Sequence, residues 1–347
     1  MSIGPISALA GKALFFLTTD SIMKIDRPKF ISSVRSGLQK GWQGFVWLLK
    51  ILVPISFLTL LLAYSGWLHK IDFLLAPLMH LLSLPPEAAL PLLIGIFAGI
   101  YGGIAAMAAL PFTPGQMTLM AIFMLISHNL FQESIIQGRS GLHGWTATLV
   151  RLGASVFTVI LTAPFLDMAP NGLPSAIAVQ ATDQNLLAML QVWCGQIFLL
   201  SCKIFIIIMT LMVLLELMKA YDLIRYLSIV MHPLMRLMGL DRQAGFLWLT
   251  AAVFGLSYGG AIIVEEVNSG QLSGDTLKRL HLSIGINHSV VEDPVLFMSL
   301  GIGPFWLWIP RLITAMLFVW GYMLIVKLSS WIYDRRVGQN RSARKTL

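Results

Sequence analysis

Charged side chains are scarce in this sequence: Asp, Glu, Lys and Arg supply 12% of its 347 residues, whereas hydrophobic residues supply 57%. A water-soluble globule of this length cannot hide so much apolar surface, so the chain belongs in a bilayer. Cysteine is nearly absent. The two present, Cys194 and Cys202, fall in one apolar run, which excludes a disulfide framework and a cysteine-based metal site and leaves them as inert packing residues. No nucleotide-binding loop occurs, so an ion gradient or a partner must supply any energy. No nucleophile and base stand together, so enzymatic chemistry is not expected, and no cofactor is implied.

What fills the sequence instead is a series of apolar runs, with a mean hydropathy of +0.79. Those near 45–66, 117–137, 145–167, 192–215, 278–300 and 305–327 have roughly the 20 residues needed to cross about 30 Å of hydrocarbon. Two more, near 88–110 and 245–264, are interrupted by glycines. The net charge of +8 is concentrated before the first run (Lys24, Arg27, Lys29, Arg35, Lys40) and after the last (Arg335, Arg336, Arg341, Arg344, Lys345). Basic clusters beside spans anchor a protein at the cytoplasmic face and do not point to nucleic acid. The first 20 residues carry one Lys and a short apolar stretch, which reads as an interfacial helix in preference to a signal peptide.

The two halves of the chain match each other. "QGFVWLLKI" from Gln43 pairs with "QIFLLSCKI" from Gln196, "APLMHLLSL" with "HPLMRLMGL", and "GIFAGIYGG", ending at Gly103, with "AVFGLSYGG", ending at Gly260. "PGQMT" then pairs with "SGQLS", and the spacing from His128 to Arg151 equals that from His288 to Arg311. Both ends of the chain are basic, whereas the connection "LDMAPNGLPSAIAVQATDQN" has two Asp and no Lys or Arg, so the termini should face the cytoplasm and the connection the outside. The first copy must therefore cross an odd number of times, and the copies are inverted. Three spans and one re-entrant hairpin per copy satisfy that parity. The hairpins are expected to break at Tyr101, Gly102 and Gly103 and at Tyr258, Gly259 and Gly260, with the broken backbone facing the interior. Close packing through Gly95–Gly99 and Gly255–Gly259 is the other reading of these glycines. The expected organisation is an all-α membrane protein: an N-terminal segment (1–42), a first repeat (43–167), an external linker (168–191), a second repeat (192–328) and a basic tail (329–347).

Several ionisable residues fall inside the runs, where each costs around 3 kcal/mol unless paired or hydrated. Glu133 and Arg151 flank the turn "GRSGLHG" at similar depths, so an ion pair across two antiparallel helices is expected, and Asp293 with Arg311 should repeat it around "GIGP". Direct contact of these four with a solute or a moving proton is the alternative. His128, beside Asn129, and His288, beside Ser289, should meet near the membrane centre, where inverted-repeat transporters place their sites. Only Glu292, four residues after His288, shares a helical face with its histidine. Lys203 lies near mid-span and needs Glu216, an acid of another helix or an anionic solute as partner, whereas Lys50 can snorkel. Glu265 and Glu266 have Ala108 and Ala109 as counterparts, so any ligand they touch meets one hairpin only.

Hairpins broken at "YGG", each followed by two helices and repeated in inverted fashion, resemble the membrane proteins with nucleoside-recognition, or gate, domains. These are similar in turn to the core of concentrative nucleoside transporters and to the membrane portion of ferrous-iron transporters. The resemblance covers roughly 43–167 and 192–328, and it implies a helical transporter core with two hairpins meeting near the centre. The expected function is a bacterial inner-membrane transporter or permease moving a small polar or charged solute by alternating access. Broken-helix ends would offer partial charges to the solute. Divalent-metal passage is the alternative within transport, and a non-transporting assembly factor like those of sporulating bacteria is the alternative of another class. The expected partners are lipid, a small solute or ion, and a second copy or another membrane protein.

Overall fold

A proline at the second helical position opens α1 (Arg27–Tyr64), and a stripe of small residues, Ser33, Gly37 and Gly41, runs along its buried face. The computed structural model describes residues 26–167, 186–268, 270 and 272–343. Beyond α1 the first half contains α2 (Trp67–Leu81), a 3-10 turn (Pro86–Ala88), α3 (Ala89–Ala98), α4 (Ile100–Ala108), α5 (Pro114–Ser127), α6 (Leu130–Arg139) and α7 (Gly144–Thr162), which runs into a second 3-10 turn (Ala163–Phe165). The second half contains α8 (Leu186–Ala220), α9 (Leu223–Leu237), α10 (Arg242–Asn268), α11 (Gly274–Ile286), α12 (Glu292–Met298) and α13 (Pro304–Ala343). No strand occurs among the described residues.

Among the described residues, five stretches are long and apolar enough to cross a bilayer: α1, α5 with α6, α7 with its 3-10 turn, α8, and α13 as far as Tyr333. These answer five of the six uninterrupted runs in the sequence. The sixth, 278–300, is not one helix, because α11 stops at Ile286 and α12 starts only at Glu292. α1 passes through residue 43 without a break, and α8 begins inside the expected linker. The expected interfacial helix at the N-terminus and most of the linker lie outside the described residues. Cys194 and Cys202 are exposed on α8, not packed. Leu58, Phe198, Ile206 and Leu324 are likewise turned outward, as lipid-facing surface requires.

α1 and α8 pack antiparallel along most of their length. A Cβ on Gly37 would stand 2.5 Å from the Val213 Cα, and one on Gly41 2.8 Å from the Met209 sulfur, so the glycines are what let the two backbones approach. Toward one end Lys40 and Ser36 bind Glu216 at 2.8 and 2.9 Å, and toward the other the Trp193 indole donates to Ser56 at 3.2 Å. α7 and α13 cross similarly, with the Thr158 and Thr314 hydroxyls 2.8 Å apart. α5 is the innermost element, buried from Met117 to Ser127.

Both glycine-broken segments fold back on themselves. Gly103 packs on Gly95 and the Pro91 carbonyl, and Gly259 on Ala251, contacts that a straight helix cannot make. The arms α3 and α4, of 10 and 9 residues, are each about 15 Å long, half the hydrocarbon thickness. The break itself is not at "YGG". It falls at Gly99 (φ 89°) and at Gly255 (φ 80°), where glycine alone adopts the required backbone without strain. Tyr101, Gly102 and Gly103 already lie within α4, as Tyr258, Gly259 and Gly260 lie within the second arm of α10.

Candidate functional site

Thr113 and Gln116 form a reciprocal cap that starts α5, with Pro114 at its first position. α5 ends at Ser127, His128 is extended (ψ 157°), and Asn129 takes the left-handed conformation (φ 45°) that Asn tolerates better than most residues. α6 then begins at Leu130. The second half repeats the device: α11 ends at Ile286, Ser289 is left-handed (φ 46°), and α12 begins at Glu292. Each break is seated on the neighbouring hairpin. The Asn129 amide donates to the Gly95 carbonyl at 3.1 Å and the Val290 amide to the Ala252 carbonyl at 2.7 Å.

Breaking a helix bares carbonyls, and a buried bare carbonyl must be satisfied. Two arginines do this. Arg151 on α7 donates to the Ile126 and His128 carbonyls at 2.9 and 2.8 Å. Arg311 on α13 donates to the Ile286 and His288 carbonyls at 3.4 and 2.8 Å, with the same spacing along the chain. Both arginines are fully buried. Trp308 adds a bond from its indole to the Val290 carbonyl at 2.7 Å.

The broken segments bring His128, Glu133, His288 and Asp293 together. Glu133 lies 2.6 Å from Arg151, 2.9 Å from His288 Nε2 and 3.5 Å from His128 Nε2. His128 Nε2 is also 3.4 Å from Asp293, and the imidazole centres are 5.0 Å apart. All four residues are buried. The Glu133–Arg151 pair therefore forms, but the expected Asp293–Arg311 pair does not, because Arg311 is taken up by carbonyls and Asp293 turns toward His128. The reason is the width of the break. Two residues separate His128 from α6's second residue, so Glu133 is the fourth residue of α6, whereas Asp293 is only the second of α12 and points elsewhere.

Glu292 does not share a helical face with His288, since the helix is interrupted between them. It accepts a bond from the Tyr101 hydroxyl at 2.6 Å, which joins the first hairpin to the second half of the chain. Asn129 packs on Gly99 through its side-chain amide, and the Ser289 hydroxyl lies beside the Asp293 carboxyl. Lys203 is exposed on α8 and is not brought to the cluster, and its candidate partner Glu216 is bound to Lys40, as given above. Lys50 is exposed as snorkelling requires. Glu265 is exposed, and Glu266 accepts from the Gln243 side chain. Sequence reasoning passed over Gln137 and His281, a buried pair that ties α6 to α11: Gln137 donates to the His281 carbonyl at 3.0 Å, and His281 bonds the Ser140 carbonyl at 2.7 Å. The alternation of His281 with apolar neighbours gave no sign of this.

Helices of spanning length around a core that holds a charged cluster at two helix breaks define a polytopic membrane protein with an internal polar site. Residues 45–137, within the first half of this architecture, match the family model for gate domains, described as nucleoside recognition. That match agrees with the resemblance read from the "YGG" segments. The chain is also 26% identical over 291 residues to an uncharacterized membrane protein of Bacillus subtilis (strain 168), YvoD, covering 83% of this chain and 92% of that protein. No solved structure matches.

Proposed function

We propose that the protein is a secondary transporter or permease of the bacterial inner membrane, built as two inverted repeats (43–167 and 192–328) that open alternately to each side around the buried cluster. The observation that carries this reading is the convergence of one broken helix from each half on His128, Glu133, His288 and Asp293. Buried ion pairs are weak devices for stability, and apolar residues would hold these helices as well or better. Charges kept at such a cost in a bilayer mark a path for a solute or an ion. The antiparallel course of α1 and α8 and the identical spacing of the two arginine caps support the inverted arrangement. The cytoplasmic placement of both termini rests on their basic flanks.

The test is uptake by proteoliposomes of purified protein against a panel of nucleosides, amino acids, organic anions and divalent metals. One class is expected to accumulate down its gradient, and Glu133→Gln and His288→Gln are expected to slow it. No uptake of any class by protein that remains folded would favour the assembly-factor reading.

A further inference from the structure

The buried cluster has an excess of acceptors. His128 Nδ1 is 2.9 Å from the Met124 carbonyl, so that nitrogen carries a proton, and in the neutral ring Nε2 presents a lone pair. This lone pair faces a Glu133 oxygen at 3.5 Å and an Asp293 oxygen at 3.4 Å, with no donor between them. Asp293 Oδ2 and His288 Nδ1 have no hydrogen-bond partner among the described residues. Around the cluster three acids, Glu133, Glu292 and Asp293, stand against two guanidiniums, Arg151 and Arg311. Glu292 is only half-buried, so the buried acids are Glu133 and Asp293; Arg151 pairs with Glu133, Arg311 is engaged by carbonyls, and Asp293 is left facing the His128 imidazole without a guanidinium partner.

We infer that His128 Nε2, a His288 ring nitrogen and Asp293, with Glu133 beside them, form a binding site for a divalent transition-metal cation of the zinc class. Three observations on the page converge on this. Ligand atoms of His128, His288 and Asp293 all lie within 4.8 Å of one another, so one ion can reach all three after small adjustments. Tetrahedral coordination with bonds of about 2.0–2.2 Å sets ligand atoms about 3.3–3.6 Å apart, and both contacts of His128 Nε2 fall in that interval. The hydrogen bond from the remote nitrogen of His128 to a backbone carbonyl is the support that orients metal-ligating imidazoles. The nitrogen–oxygen donor set suits zinc, cobalt, nickel or manganese; calcium and magnesium favour all-oxygen sites, and no thiolate is present to select copper(I). A cation also gives Asp293 the counterion that Arg311, held by carbonyls, does not supply. That the cation is the cargo rests on the transport reading above; that it binds does not.

The experiment is metal binding by the full-length protein, stripped with chelator in detergent and titrated with Zn2+ and, separately, Co2+. The inference requires one Zn2+ bound per chain, a melting temperature raised by Zn2+ and restored by chelator, and for Co2+ the visible absorption of a tetrahedral nitrogen–oxygen centre. Asp293→Asn and His128→Gln should lose both the ion and the thermal shift, while Lys203→Gln, outside the cluster, should retain both. Should the single substitutions misfold, the Co2+ spectrum of the unaltered protein still decides. Stripped protein that stays folded yet takes up neither ion overturns the inference and leaves a shared proton as the occupant; binding that survives Asp293→Asn overturns it too, by placing the ion elsewhere. Zn2+ flux in proteoliposomes separates the two readings: binding without flux removes transport alone, and flux of an organic solute without metal binding removes this site alone.

Discussion

A guanidinium sealed in an apolar interior needs acceptors for its N–H groups, and the two arginines meet that demand in part and differently, each leaving Nη1 without a partner among the described residues. Arg151 has two carbonyls and a carboxylate, whereas Arg311 has carbonyls only. Removing Arg151 therefore bares two carbonyls and strands Glu133 as a buried charge, at a cost of about 3–5 kcal/mol. Removing Arg311 bares carbonyls without stranding an acid and should cost about 1–3 kcal/mol. Unfolding of Arg151→Met and Arg311→Met in detergent should show that order, and adding Glu133→Gln to Arg151→Met should recover part of the loss. Equal losses would show that the acid plays no part. Lysine should substitute poorly at either position, because its ammonium is a compact point donor without the planar fork that reaches two carbonyls of different residues. The Glu133–Arg151 pair was legible from spacing alone, because α6 and α7 are regular on either side of their turn. The second pair was not, since nothing in "NHSVVED" announces that the break is three residues wider than the one in "SHNLF".

At the scale of elements, the turn of each hairpin is a single glycine, and its surroundings set the cost of replacing it. A Cβ on Gly99 would stand 2.7 Å from the Asn129 side-chain oxygen in addition to sitting at positive φ, whereas one on Gly255 would meet nothing within 4 Å. Gly255→Ala should then cost only the backbone strain of φ 80° and ψ 164°, a region essentially confined to glycine, about 1–3 kcal/mol. Gly99→Ala should cost more and disturb the seat of the first helix break, which a larger fall in melting temperature would report. Loss of equal size at both positions would mean that Asn129 yields freely. The existence of two hairpins could be read from interrupted apolar runs and the parity of crossings, but their turning points could not. "YGG" repeats conspicuously in both halves because the second arm needs small residues to lie against the first, as Gly103 does on Gly95 and Gly259 on Ala251. The turns fall at different places in the matched register, Gly99 and Gly255, so comparing the halves drew attention to the conserved-looking packing and away from the bend.

For the whole molecule, the decisive quantity is the number of crossings. Five apolar stretches taken alone would leave the two termini on opposite faces, in conflict with their shared basic character. Two candidates could restore an even number: α2 with α3, bent by 91°, or α11 with α12, which stands where α5 with α6 stands in the first half. The second pair is too polar to register as a span, because it carries Asp275, Lys278, Arg279, Glu292 and Asp293. Asp293, however, is buried against protein, and Glu292 is engaged by Tyr101, so lipid does not meet their charges. The two choices differ in where they put the end of α7. If α11–α12 crosses, residue 167 lies opposite both termini; if α2–α3 crosses instead, it lies on the side of the terminus preceding α1. Single cysteines at Ser32, Asp167 and Ser330, all exposed, in a chain with Cys194 and Cys202 changed to Ser, decide the matter with a membrane-impermeant maleimide. In intact cells only Asp167→Cys should label, and permeabilisation should add the other two. Protection of Asp167→Cys would assign the crossing to α2–α3, and labelling of Ser32→Cys or Ser330→Cys alone would break the inverted pairing on which alternating access depends.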